Sequence, residues 1–107
     1  MINLTDENFE KEVNGQDKLV LVDFFATWCE PCTILGPILE KVAEHFKKEI
    51  VLMKANVDGA QLAAQKFGVE SIPAVFLLKN GKPINGFVGA MPEKAIKDWL
   101  ENILKQK

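Results

Sequence analysis

The run Lys18 to Phe25 (KLVLVDFF) dictates its own surroundings. It is β-branched, leucine-rich and aromatic on both of its alternating faces. A strand with one wet face alternates apolar and polar residues; a strand covered on both faces reads as a nearly continuous apolar run. Such a strand belongs to a sheet with helices on both sides. The flanking patterns supply them. After a break at Ala26 to Cys29, the residues Ile34, Leu35, Ile38, Leu39, Val42 and Phe46 recur at helical spacing. Pro37 lies inside that pattern, removes one backbone hydrogen bond and should kink the helix. Ile50 to Val57 (IVLMKANV) is a second buried strand. Leu62, Ala63 and Phe67 mark a short helix that Gly68 ends.

The ends of the chain complete the order. Ile2 to Leu4 is a short edge-side strand. Thr5 reads as the N-cap of a helix with Asp6 and Glu7 in its first turn, Phe9 and Val13 on its inner face, and Asn14-Gly15 as its stop. Pro73 to Lys79, Asn80-Gly81 and Lys82 to Val88 read as a β-hairpin, because both central residues of the favoured turn need positive φ. Pro83 donates no ladder bond and puts the last strand at an edge. Pro92 suits the first position of a closing helix with Ile96, Trp99, Leu100, Ile103 and Leu104 on its inner stripe. The order β-α-β-α-β-α-β-β-α predicts one mixed α/β sheet, parallel at first and antiparallel at the closing hairpin.

Composition narrows the function. The chain of 107 residues is sized for one domain, expected to span 1–107. Its net charge is −2, and all thirteen cations are Lys. A nucleic-acid partner is not expected without a basic excess or an Arg fork to read bases and phosphates. Tyr is absent, which excludes phenol chemistry. The polar, acidic start lacks a signal-peptide pattern, and the longest apolar stretch, Leu19 to Phe25, is too short to span a bilayer. No membrane partner and a cytoplasmic location are the expectation. Two cysteines do not make a disulfide scaffold.

Those two cysteines carry the one sharp motif, Trp28-Cys29-Glu30-Pro31-Cys32, placed where a buried strand ends and a helix begins. Unpaired N–H groups and the helix dipole there favour a thiolate at Cys29. Pro31 fits a first turn that needs no N–H from it. Cys32, one turn on, should be the more buried. Cys29 is then the attacking thiol and Cys32 the one that resolves the mixed disulfide. Zinc is the competing reading, since Cys29, Cys32 and His45 have a finger-like spacing. A fourth ligand is missing and His45 is several turns away, so no metal is expected. Asp23 is the only charge in its strand. It is either a buried acid of raised pKa, able to take a proton from Cys32, or a strand-end cap for the following loop.

VDFFATWCEPC, GPIL, VDG, FGVESIPA, the KNGKP hairpin and VGA together resemble the thioredoxin family over about Ile2 to Lys105. The resemblance implies the thioredoxin fold, a central five-stranded mixed β-sheet flanked by four α-helices. It implies general protein-disulfide reduction with no bound cofactor, by a monomer drawing electrons from NADPH through a flavin-dependent thioredoxin reductase. Its partners would be that reductase and disulfide-containing clients. It favours the proton-transfer role for Asp23, matches Lys54 to the family's buried lysine rather than to a snorkelling strand-end lysine, and makes Ile72-Pro73 a cis bond where a prolyl bond by default is trans. The client surface would be Trp28, Ile72, Pro73, Gly89 and Ala90, with the Ile72 backbone pairing to an extended client and Gly89 allowing close approach.

Five positions depart from the family pattern. Glu30 replaces Gly between the cysteines; its carboxylate opposes the Cys29 thiolate and should make the couple more reducing by roughly 10 to 20 mV. Phe25 stands where Trp is common, Thr33 replaces a cation, and Glu70-Ser71 replaces a small or basic pair. The acidic mouth should disfavour acidic clients. Two rival readings follow from the same residues. Gly86 to Glu93 (GFVGAMPE) resembles the thioredoxin domain of tetratricopeptide-bearing co-chaperones, which hold unfolding clients, although the 107 residues contain no such helical repeat. A disulfide oxidant or isomerase would need an oxidising compartment.

Overall fold

The structure, a computed structural model, describes residues 2–106. Its elements are β1 (Ile2–Leu4), α1 (Phe9–Asn14), β2 (Leu19–Phe25), α2 (Glu30–His45), β3 (Ile50–Asn56), α3 (Gln61–Lys66), β4 (Ala74–Lys79), β5 (Lys82–Val88) and α4 (Glu93–Lys105). The strands form one sheet in the order β1-β3-β2-β4-β5. β3 runs parallel to both β1 and β2; β4 is antiparallel to β2, and β5 to β4. The two crossovers through α1 and α2 join the parallel strands, the connection through α3 brings β4 back antiparallel to β2, and the tight hairpin sets β5 antiparallel to β4. The five-stranded mixed sheet and four helices are those of the thioredoxin fold.

The continuous apolar run of β2 has the expected cause. Its side chains alternate between two buried faces. Val20, Val22 and Phe24 pack with Met53 and Ala55 beneath α1 and α3. Leu21 packs with Leu52, Val75 and Leu77 beneath α2 and α4, where Leu35, Leu39, Val42, Ile96 and Leu100 close the layer. Each fully buried Leu or Phe in these layers contributes about 1.5 to 3 kcal/mol. Asp23 shares the alternation of Leu21, so its carboxylate lies on the α2 side of the sheet.

The turn chemistry holds. Asn80 and Gly81 both have positive φ, 52° and 79°. A register shift between Leu77 and Leu78 accompanies Pro83 on the edge strand β5. Other expectations need correction. α1 begins at Phe9, with Asn8 as its N-cap. Thr5 and Asn8 instead exchange hydrogen bonds one turn earlier: the Thr5 N–H donates to Asn8 Oδ1 at 2.7 Å and the Asn8 N–H to Thr5 Oγ1 at 3.4 Å. That is capping-box geometry on a turn that does not extend as α-helix. Asp6 does not serve α1. Its two oxygens accept the Ala63 and Leu62 N–H groups at 3.0 and 3.2 Å, capping α3 from across the fold. Pro92 is the N-cap of α4 rather than its first residue. Pro37 lies inside α2 as expected, and both it and Thr33, whose carbonyl it leaves without an intrahelical donor, are exposed to water. Ile34 is 59% exposed, because the apolar pattern of α2 is wider than the face the sheet can cover. Trp99 is half-buried at the rim of its layer, its Nε1–H donating to Asn85 Oδ1 at 3.3 Å. No helix among the described residues is long and apolar enough to cross a membrane.

Candidate active site

The site is built where β2 hands over to α2. The Cys29 N–H bonds back to the Ala26 carbonyl at 3.2 Å, which closes the turn after the strand. Cys29 is then the N-cap of α2, with extended backbone (φ −98°, ψ 109°). Its Sγ accepts the Cys32 N–H at 3.3 Å, the position that a serine or aspartate oxygen takes in an ordinary cap. A sulfur held at this spot faces the unpaired N–H groups of the first turn, which stabilise negative charge on it. Cys29 and Cys32 are disulfide-bonded, with their Cα atoms 5.3 Å apart. Both are buried, Cys32 slightly the more. They pack in a small apolar cluster with Ala26, Phe25, Val57 and Ile72.

Two loops complete the rim. Cys29 Sγ lies 3.9 Å from the Ile72 carbonyl oxygen. A disulfide sulfur carries no proton, so this is a contact in the oxidised state and a donor–acceptor pair once Cys29 is a thiol. The Ile72-Pro73 bond is cis, as the resemblance implied. The Pro73 carbonyl accepts the Gly89 N–H at 2.8 Å, and Gly89 has φ of +90°, a conformation that glycine adopts without penalty. The Cys29 sulfur, the Ile72 carbonyl, Pro73 and Gly89 are therefore joined in one chain of contacts, with Ala90 exposed beside them; Pro73 itself is buried.

Trp28 is 70% exposed and is tied down at one point, its Nε1–H donating to Asp58 Oδ2 at 3.1 Å. Asp58 is held in turn by its own N–H, which donates to Asn56 Oδ1 at 3.0 Å. Sequence reasoning did not single out Asp58. Its signal was present in the VDG motif after β3, but nothing local shows which acceptor a tryptophan thirty residues away will find.

Asp23 is 1% exposed, and neither carboxylate oxygen has a hydrogen-bond partner among the described residues. The capping bond of a strand-end aspartate is not made. Burial pushes its carboxyl from 3.8 up to about 6, with the Lys54 ammonium pulling the other way. Lys54 is the register partner of Asp23 on β3. Its Nζ lies 4.0 Å from Glu40 Oε2 and 5.2 Å from the centre of the Phe25 ring, with the side chain one-fifth exposed. His45 stands thirteen residues along α2 from Cys32, about 20 Å away at the helical rise, and is exposed. No cluster of three or more metal-ligating side chains occurs among the described residues.

This geometry is that of a strand–helix dithiol site beside a cis-prolyl loop, and comparison with known proteins agrees. The family model described as Thioredoxin matches residues 1–102. A thioredoxin of Chlorobaculum thiosulfatiphilum is 42% identical over 92 residues, covering 86% of this chain and 85% of its own. A thioredoxin of Alicyclobacillus acidocaldarius is 38% identical over 104 residues, covering 97% and 98%. One from Buchnera aphidicola is 39% identical over 105 residues, covering 98% and 96%.

The chain belongs to the thioredoxin family.

Thioredoxins are thiol–disulfide oxidoreductases that use no prosthetic group, and Cys29–Cys32 is the redox-active pair such an activity requires. Around it this thioredoxin carries Glu30, exposed as the first residue of α2, and Glu70, exposed in the loop before Ile72. Thr33 is exposed too, its hydroxyl donating to the Glu30 carbonyl at 2.7 Å.

Proposed function

We propose that this thioredoxin is a general protein-disulfide reductase of the cytoplasm, acting as a monomeric single domain with Cys29 as nucleophile and Cys32 as resolving thiol. The observation that carries the reading is the Cys29 sulfur at the N-cap of α2, accepting the Cys32 N–H at 3.3 Å. In the dithiol form, the Cys29 thiolate attacks one sulfur of a client disulfide. A mixed disulfide forms, and the other client sulfur leaves as a thiolate that takes up a proton. Cys32 passes its proton to the Asp23 carboxylate and attacks the Cys29 sulfur. The Cys29–Cys32 disulfide forms and the second client sulfur leaves as a thiolate. Two electrons have moved to the client. A thioredoxin reductase returns them from NADPH through its flavin.

Trp28, Ile72, Pro73, Gly89 and Ala90 form the client surface, the backbone of the half-buried Ile72 offering strand-like pairing. Asp23 suits proton transfer because a carboxyl near 6 is ionised at neutral pH yet accepts a proton readily. Lys54 tempers its charge. Glu30 and Pro31 modulate the couple, Glu30 by opposing the thiolate.

The deciding experiment is the equilibrium potential of the couple against a glutathione or dithiothreitol series. A value below the cytosolic glutathione poise, about −220 to −260 mV by extraction, is expected. A value well above that range overturns the reductase assignment in favour of an oxidant or isomerase.

A further inference from the structure

α2 carries a row of three residues at four-residue spacing, Cys32, Gly36 and Glu40, which brings them along one side of the helix. Beneath this row lies Lys54 of β3. An alanine methyl built at Gly36 would stand 3.2 Å from Lys54 Nζ, tighter than ordinary van der Waals contact, and among the described residues nothing else beyond its chain neighbours and the adjoining backbone of α2 lies within 4 Å of it. The ammonium thus occupies the space that a side chain at residue 36 would take. Glycine in a helix interior is unfavourable relative to alanine, and Gly36 is buried within α2. One turn on, Glu40 Oε2 is 4.0 Å from the same ammonium, the outer and more exposed partner. On the inner side is Asp23, side by side with Lys54 in the sheet.

We propose that Gly36 and Glu40 are positioning residues: the glycine leaves the berth, and the carboxylate supplies the outer anchor, that hold the Lys54 ammonium at a set reach from Asp23. Lys54 is shared between an exposed and a buried carboxylate, and the share given to Asp23 sets how readily that group takes a proton. The inference rests on the proton-transfer reading of Asp23 for its functional meaning, but its geometry is independent of that reading.

The groups around Asp23 give the effect a sign. β3 sets Lys54 against it and β4 sets Val75, which has no charge. α2 carries the cysteine row and, through Lys54, Glu40. In the oxidised protein the cysteines do not titrate, so Lys54 is the charge acting on Asp23. A methyl at residue 36 crowds the ammonium at 3.2 Å, and the ammonium gives way toward the solvent side, where Glu40 stands. Asp23 then loses attraction and holds its proton to higher pH. Removing the Glu40 charge releases the ammonium inward, and Asp23 gives up its proton at lower pH.

The test is carbon-detected NMR titration of the Asp23 carboxyl in the oxidised protein, for Gly36→Ala and Glu40→Gln, each alone and in a Lys54→Met background. Opposite displacements are expected, up for Gly36→Ala and down for Glu40→Gln, each about two- to fivefold in proton affinity, and both lost without the lysine. Alanine favours helix, so Gly36→Ala is expected to fold, and Glu40→Gln changes a half-exposed residue. No displacement in either variant, displacements of the same sign, or displacements that persist in Lys54→Met overturn the proposal. Failure of the proton-transfer reading shows elsewhere: Asp23→Asn would leave the rate of mixed-disulfide resolution and its pH profile unchanged, whatever the titrations give.

Discussion

Asp23 and Lys54 are register partners on adjacent parallel strands, yet the structure does not pair them as a satisfied ion pair. Both Asp23 oxygens are without a hydrogen-bond partner among the described residues, while the lysine nitrogen lies 4.0 Å from Glu40. A buried carboxylate left in this condition destabilises its own charged form. The redox site therefore has beneath it an acid whose proton affinity the fold has raised.

That acid makes stability depend on pH. The folded carboxyl titrates at about 6 and the unfolded one at 3.8. Between those values the unfolded chain has released a proton that the folded protein keeps, so stability falls as pH rises and levels off above about 6. The full interval is worth about 3 kcal/mol. Urea denaturation from pH 4 to pH 7 should show a decline of this order, and Asp23→Asn should remove most of it. An unchanged slope in the variant would place the pH dependence elsewhere.

The same group should control the resolving step. Mixed-disulfide resolution by Cys32 is expected to quicken as pH rises through about 6, where Asp23 becomes an acceptor. Asp23→Asn should slow resolution by about 10²-fold or more, the scale of positioned proton transfer, while the first attack by Cys29 changes far less. Stopped-flow kinetics with a fluorescent client separates the two phases.

The Trp28–Asp58 hydrogen bond joins an exposed indole to the loop before α3. Asp58→Ala should cost no more than about 1 kcal/mol in stability, since the bond is solvent-exposed. It should raise client KM severalfold, because the freed indole must be ordered on binding. Equal KM values for the two proteins would show that the bond does not organise the rim.

Asp6 caps α3 with two N–H contacts, to Leu62 and Ala63. The helix has no side-chain cap of its own at Ala60. Asp6→Ala should cost about 1 kcal/mol and speed hydrogen exchange at the α3 amides before those of β2. Uniform loss of protection would mean that Asp6 supports the whole fold instead.

Glu30 sets one negative charge beside the thiolate at the start of α2. Glu30→Gly should lower the Cys29 thiol pKa, read by ultraviolet thiolate absorbance, and make the couple slightly less reducing, by roughly 10 to 20 mV. A rise in the Cys29 pKa would reverse the account of this position.

Element order, the buried strands, the Asn80-Gly81 hairpin and the cysteine pair at a helix start were legible in the residues, because each is written within a few neighbours. Side-chain period and turn conformation are short-range effects, and the sequence alone determined them for this chain. The sites where it misled are also informative. Thr5 and Asp6 carry a helix-start signal, yet Asp6 serves a helix 56 residues on, since a carboxylate bonds whichever unpaired N–H groups the fold brings to it. Ile34 follows the helical period of the core, but how wide a face is covered depends on the sheet beneath. The partner of Trp28, the unpaired state of Asp23 and the sharing of Lys54 with Glu40 were decided only by tertiary structure. Hydrogen-bond partners and desolvation depend on which distant strands and loops become neighbours, and no local pattern records that.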